Sequence, residues 1–183
     1  MAKFMKSGKM ISESVSTYLA GIVFYNGDNP AQVENGALVT LGDLLADTTY
    51  ADSGDYQYDV YKATAPVAGK EVAIVDLAKV NSITSGDNSY RVGLNQYNLM
   101  ADANEVIRVR RLNLHDKYWI AAGNFSAEPT VGTFATVTAS ATTHTPAAEL
   151  PASGFAVKVL LSRNFATGAE DGGKMFLVEV VQL

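Results

Sequence analysis

Short runs of apolar residues, separated by turn-forming residues, follow one another along most of the chain. From Gly21 onward these runs are rich in Val, Ile, Tyr, Phe and Thr, with Gly, Asn, Asp or Pro between them. Polar and apolar positions often alternate, so that Tyr56, Tyr58 and Val60 share one face of their run. A period of two is typical of a β-strand with one buried face. The strands predicted in this way are 21–25, 36–41, 56–62, 71–76, 89–94, 106–112, 118–122, 130–138, 155–162 and 174–181.

The turn residues and the spacing of the runs favour an all-β fold. Asn and Gly follow the first run at Asn26-Gly27 and open the second at Asn35-Gly36, where they suit the backbone of tight reversals. The runs 155–162 and 174–181 indicate two antiparallel strands joined by an eleven-residue loop, and the second is apolar enough to be a central strand. Helical signal is sparse, with about a turn each expected at 37–46 and 99–106 and a short helix at 10–20 if that segment docks. We therefore predict a mainly β protein, an antiparallel β-sandwich or a β-barrel-like domain.

Charge and composition divide the chain into an arm and a domain. Residues 1–20 are predicted to form an N-terminal arm and residues 21–183 a β-domain. Residues 139–154 are small and polar and contain two prolines. This composition predicts an extended crossover or an exposed loop, and as an alternative a boundary between two lobes.

The first nine residues carry a basic tip. Three lysines lie there and no further Lys or Arg appears before position 62, while eight acidic residues stand between. One interpretation is a frayed start followed by solvated loops; the other is an arm that docks on an acidic neighbour. The candidate contact residues of this arm are Lys3, Phe4, Met5, Lys6 and Lys9.

The overall charge and the apolar runs exclude several partners and destinations. A net charge of −5 argues against general nucleic-acid binding. No apolar run approaches the roughly 18 to 20 residues that span a bilayer, and polar residues interrupt the N-terminal segment where a secretory signal is apolar. We expect no nucleic-acid partner, no membrane partner and synthesis in the cytoplasm.

Residues suited to catalysis are scarce. The chain has no cysteine and two histidines, His115 at a predicted turn and His144 within 139–154, and both are expected at the surface. Neither a G-x-S-x-G nucleophile motif nor a phosphate-binding loop is present. We therefore predict no enzyme activity, cofactor or metal site. The alternative, a hydrolase, requires a cleft in which one histidine meets a carboxylate and a hydroxyl.

Two groups of side chains are candidate interface residues. One strand contains three of the five arginines, Arg108, Arg110 and Arg111. They are interpreted either as an exposed strand face that discourages edge pairing or as forks that bind carboxylates of an acidic partner. Tyrosines cluster at 50–61, and Tyr56, Tyr58 and Tyr61 are interpreted either as cover for a sheet or as a protein or sugar contact.

Two stretches of the sequence resemble a known class of protein. ENGALVTLGDLL at 34–45, followed by YDVYKATAP at 58–66, is similar to a pattern in small head proteins of tailed bacteriophages, of the head-decoration or head-fibre kind. The resemblance implies a structural virion protein that binds the outer surface of the assembled capsid, with the major capsid protein as partner. It also implies an oligomer, for which a trimer is the expected form. The alternative is a receptor- or glycan-binding β-module of a phage fibre.

Overall fold

The computed structural model describes residues 19–45, 60–77, 82–85, 88–91, 100–164 and 174–183. Within these ranges the chain is built from short strands and one 3-10 turn at Ala122–Asn124. The strands are β1 (Leu19–Asn26), β2 (Asn29–Pro30), β3 (Val33–Glu34), β4 (Leu38–Leu44), β5 (Val60–Thr64), β6 (Ala73–Val75), β7 (Ser82–Ser85), β8 (Asn88–Arg91), β9 (Met100–Ala101), β10 (Ile107–Arg111), β11 (Lys117–Ala121), β12 (Phe134–Val137), β13 (His144–Ala147), β14 (Ala156–Asn164) and β15 (Lys174–Gln182).

Five of these strands close into a small barrel, called here the first barrel. Their order is β10-β6-β4-β5-β1, and β1 pairs again with β10, which removes the free edges. The pairing of β1 with β5 is parallel and the other pairings of the barrel are antiparallel. Its interior is a cluster of buried aliphatic residues that includes Ile22, Val39, Ala63, Val75 and Val109.

The second half of the chain forms an antiparallel sheet, called here the second sheet. Its order is β11-β15-β14-β12-β13. Side chains at alternate positions of these strands form one buried face, with Tyr118, Val157, Phe176 and Val178 among them. The alternation predicted for the last two strands is therefore present, and β15 lies inside the sheet as expected.

The first barrel and the second sheet share a core. Leu38 and Ile74 point outward from the first barrel and join the cluster on the buried face of the second sheet. Their neighbours Val39 and Val75 point into the barrel instead. Strand β6 and the first three residues of β4 are thus buried on both faces, because successive side chains of a strand point to opposite sides. The backbone connects the two parts as well, since the amide of Leu38 donates to the carbonyl of Thr142 at 2.8 Å.

The mainly β prediction is confirmed, and two details differ from the sequence-based expectation. The helical turn expected at 37–46 is wrong, because residues 38–44 form β4, which overlaps the strand predicted at 36–41. Of the helical turn expected at 99–106, residues 100–106 are described, and they form the two-residue strand β9 and a turn. The passage from the first barrel to the second sheet falls between Arg111 and Lys117, and 139–154 contributes β13 to the second sheet. The division of the chain into an arm and a domain stays a prediction. Within the described ranges, no helix is long and apolar enough to cross a bilayer.

Candidate functional site

A cleft of about 570 Å³ lies where the loop between β5 and β6 faces the second sheet. Buried Val72, Leu112 and Phe155 line its deep part. Val67 and Leu183 also line it and are 49% and 59% exposed, so they form apolar lips at its mouth. Large aliphatic side chains left half in water next to a concave surface are typical of a binding site for an apolar partner segment.

The loop that forms one lip has a defined backbone. The amide of Lys70 donates to the carbonyl of Val67 at 3.2 Å, and Gly69 between them has a φ of 72°, which favours glycine. The amide of Val67 donates to Oγ1 of Thr40 on β4 at 3.2 Å. The turn and this side-chain contact hold the lip against the first barrel, so the cleft is a feature of the folded chain.

The rim of the cleft is polar. Lys70 and Glu71 line it and are exposed, and Nη1 of Arg111 donates to Oε2 of Glu71 at 3.3 Å. The cleft therefore combines an aliphatic floor with charged residues at the edge. This arrangement suits an extended segment that inserts apolar side chains and keeps its polar groups in water.

The candidate arginines of β10 bind carboxylates of their own chain. Asp76 is 8% exposed, and its Oδ2 accepts from Nη2 of Arg108 at 2.9 Å and from Nε of Arg110 at 2.6 Å. Arg110 is mostly buried, whereas the side chain of Arg108 is 40% exposed. Of the three arginines of β10, Arg108 has the most exposed side chain and so the most surface left for another molecule. Contact with an acidic partner stays a prediction for all three arginines.

The other interface candidates lie mainly outside the described residues. This holds for the tyrosines Tyr56 and Tyr58 and for the arm residues Lys3, Phe4, Met5, Lys6 and Lys9. Tyr61 is described: it is half-buried on β5, pairs across strands with Ile22 and Leu44, and packs against the core of the first barrel. Its ring therefore covers a sheet, which is one of the two roles expected for the tyrosines.

The two histidines lie in opposite environments. His115 is exposed in the turn before β11, with a φ of 69°, and its Nδ1 lies 3.1 Å from Oε1 of Glu179. His144 is wholly buried, so the surface position expected for it is wrong. Its Nε2 lies 2.8 Å from the hydroxyl of Tyr118, and the centroids of the His144 and Phe125 rings lie 5.1 Å apart. The polar sequence around His144 carries no signal of this burial, which arises from packing against β11.

Burial shifts the pKa values of both Tyr118 and His144, and so sets the charge of the pair. Burial, and to a smaller extent the charge of Asp116, raises the pKa of Tyr118 far above its usual value, so the phenol keeps its hydrogen. Burial lowers the pKa of His144 to about 4, while the backbone of Asn124 opposes this shift. The imidazole is therefore neutral at pH 7. One hydrogen lies between Oη of Tyr118 and Nε2 of His144, and the tautomer of the neutral imidazole decides which of the two atoms donates it.

The two histidines differ in the groups that surround them. The Tyr118–His144 pair is buried in the core. His115 meets a carboxylate in an open turn, and its contacts among the described residues include no hydroxyl. Within the ranges that the structure describes, no three His, Asp or Glu side chains are grouped so as to hold a metal ion.

A comparison of the chain with protein-family models, with curated proteins and with solved structures finds no match.

Proposed function

We propose that this chain is a structural virion protein that binds the outer surface of an assembled phage capsid, as a decoration protein or as the attachment point of a head fibre. The observation that carries the proposal is the cleft with the apolar lips Val67 and Leu183. Its lining is suited to holding a segment of another protein, and the major capsid protein is the proposed partner.

The position of the resembling stretches supports this function. Residues 34–45 contain β4, and residues 58–66 contain β5, which pairs with it through Thr40–Thr64 and Leu41–Ala63. The second stretch ends at Pro66, which lines the cleft directly before the lip residue Val67. The stretches that resemble phage head proteins thus build the wall of the first barrel from which the cleft loop leaves.

Multivalent attachment fits the geometry of a capsid. A capsid presents many identical sites, so weak contacts at one site become strong attachment when several copies of the bound protein are joined. We propose a homo-oligomer, with a trimer as the expected form, located on the capsid surface of the virion. The basic arm at residues 1–20 adds a second contact by docking on acidic capsid surface.

The proposal is tested with particles of the phage that encodes this chain. Particles made without the chain are incubated with the purified protein, and occupancy is measured by quantitative mass spectrometry and by cryo-electron microscopy. Saturable binding at symmetry-related outer positions is the expected result. If the protein shows no saturable binding to the particles but binds a glycan array, the capsid role is overturned and the fibre-module alternative is supported.

A further inference from the structure

The pair Tyr118 and His144 joins two strands that lie at opposite edges of the second sheet. Tyr118 belongs to the edge strand β11 and His144 to the edge strand β13. The chain after β11 makes a further connection: Phe125 forms a parallel bridge with His144, and the amide of Ser126 donates to the His144 carbonyl at 2.8 Å. Together these contacts bring the two edges of the sheet together around one imidazole.

The same segments hold the second sheet on the first barrel. The amide of Ser140 donates to the carbonyl of Pro66 at 3.0 Å, and that of Leu38 donates to Thr142 at 2.8 Å. Nδ2 of Asn124 donates to the carbonyl of Asn35 at 3.1 Å. Residues 124, 140 and 142 all lie within four positions of His144 or of its bridge partner Phe125. We call the contacts of His144 with Phe125 and Ser126 the closure of the second sheet. We call the hydrogen bonds that Leu38, Asn124 and Ser140 donate between the two parts the seam. The closure and the seam therefore depend on neighbouring residues.

We propose that His144 is an acid-sensitive latch, in which a proton added to the buried imidazole opens the closure at Phe125 and Ser126 and loosens residues 139–144 from the first barrel. This inference goes beyond the proposed capsid function and does not depend on it.

The surroundings of the imidazole explain why a proton would open the latch. The titratable groups that act on the pair among the described residues are Tyr118 itself and Asp116, in the turn before β11. The carboxylate of Asp116 already accepts the amide of Asn113 at 2.8 Å. The ring of Phe125 packs against the imidazole and is apolar, and its centroid lies 5.5 Å from that of the Phe176 ring. A buried imidazolium there lacks a described ion-pair partner, so the proton is held more easily in an open state where water reaches the ring.

Opening has a second consequence at the cleft. Thr136, Val137 and Ala139 line the cleft, and Val137 is the residue paired with His144 between β12 and β13. The latch therefore lies directly behind one wall of the cleft. Loss of the closure would free this wall and change the shape of the proposed binding site.

The test is amide hydrogen exchange of the intact protein, measured by NMR at pH 7 and pH 4.5 and corrected for intrinsic exchange rates. The amides of Leu38 and Ser140 report on the seam. The backbone amide of Asp76 donates to the backbone carbonyl of Arg108 at 3.0 Å within the first barrel, and its exchange reports on global unfolding. A folded pKa of about 4 and an open-state value of 6.5 predict that opening of the seam rises about fiftyfold. At pH 4.5 the seam amides should exchange at least tenfold faster than that of Asp76.

Two variants and one direct titration separate the latch from general acid effects. H144F should reduce the rise in seam opening to less than about twofold, whereas H115Q, which removes the exposed histidine, should leave it unchanged. The ¹³C chemical shifts of the wild-type imidazoles, followed against pH, give the pKa of folded His144 directly. This titration tests the proposal even if H144F does not fold. Titration of folded His144 near its ordinary pKa, or exchange of the seam amides only together with Asp76, would overturn the proposal.

Discussion

Nε of Arg110 lies 2.6 Å from Oδ2 of Asp76, although the two residues stand 34 positions apart in the chain. Strand β10 pairs with β6, and Asp76 follows β6 directly, so the register of this pairing sets the contact. The same oxygen accepts from Arg108. One mostly buried carboxylate thus neutralises part of the charge of two guanidinium groups on the surface of the first barrel.

The Asp76 cluster should contribute measurably to stability. D76N removes the charge but keeps the shape, and leaves Arg108 and Arg110 without their carboxylate, so we expect a loss of about 2 kcal/mol. The matched control is E71Q, which alters the more exposed pair of Glu71 with Arg111 and should cost less than about 1 kcal/mol. Urea unfolding measures both values. Equal losses in the two variants would show that burial of Asp76 adds nothing.

Acid should destabilise the protein through His144. Because the folded pKa is about 4 and the unfolded value is 6.5, the unfolded chain binds a proton between these values and the native protein does not. Stability from this group is therefore complete above pH 6.5 and falls as the pH drops, by about 3 kcal/mol at pH 4. Chemical unfolding at several pH values should show this slope in the wild type and in H115Q. An identical slope in H144F would assign the effect to carboxylates.

The shared core should be sensitive at Leu38. This side chain is wholly buried between the first barrel and the second sheet, so L38A should cost about 2 to 5 kcal/mol. On the same strand Leu44 is 54% exposed, and L44A should change the free energy of unfolding by less than about 0.5 kcal/mol. Thermal and urea unfolding provide the comparison. A small loss for L38A would mean that the two parts of the fold are stabilised separately.

The cleft lip should control attachment to capsids. V67D places a charge on the lip, where an apolar partner segment would bury it, so we expect at least about tenfold weaker binding, or about 1.4 kcal/mol. Val131 has nearly the same exposure, 46% against 49%, but does not line the cleft. V131D is therefore the control and should bind like the wild type. Binding assays on undecorated particles decide the matter, and equal affinities of the two variants would exclude the cleft as the contact.

The arm should matter for attachment and not for folding. Strand β1 begins at Leu19, so a variant without residues 1–18 keeps every described strand. We expect the same circular dichroism and unfolding midpoint as the full chain, with occupancy on particles strongly reduced, because the contacts of Lys3, Lys6 and Lys9 are lost. A second variant with these lysines changed to Gln separates charge from length. Full occupancy with the truncated protein would rule out the arm as an attachment element.

Local sequence patterns were enough to predict the fold class and the position of most strands. Alternation of polar and apolar residues, together with turns such as Asn26-Gly27, depends on neighbouring residues alone. The pairing of 155–162 with 174–181 followed from the same rules and is confirmed as β14 with β15. The erroneous helical turn at 37–46 has a physical cause. Leu38 and Val39 face different cores, so the start of this strand is apolar on both sides and lacks the alternation of a strand with one buried face.

The tertiary structure alone decided where the polar groups lie. His144 stands in a polar stretch with two nearby prolines, yet packing against β11 buries it beside Tyr118. Asp76 meets its arginines only because β6 and β10 are adjacent in the first barrel, and the cleft exists only where the loop after β5 faces the second sheet. Strands and turns arise from interactions between near neighbours in the chain. Burial, ion pairing and concave surfaces depend on which distant segments come together, and periodicity carries no information about that.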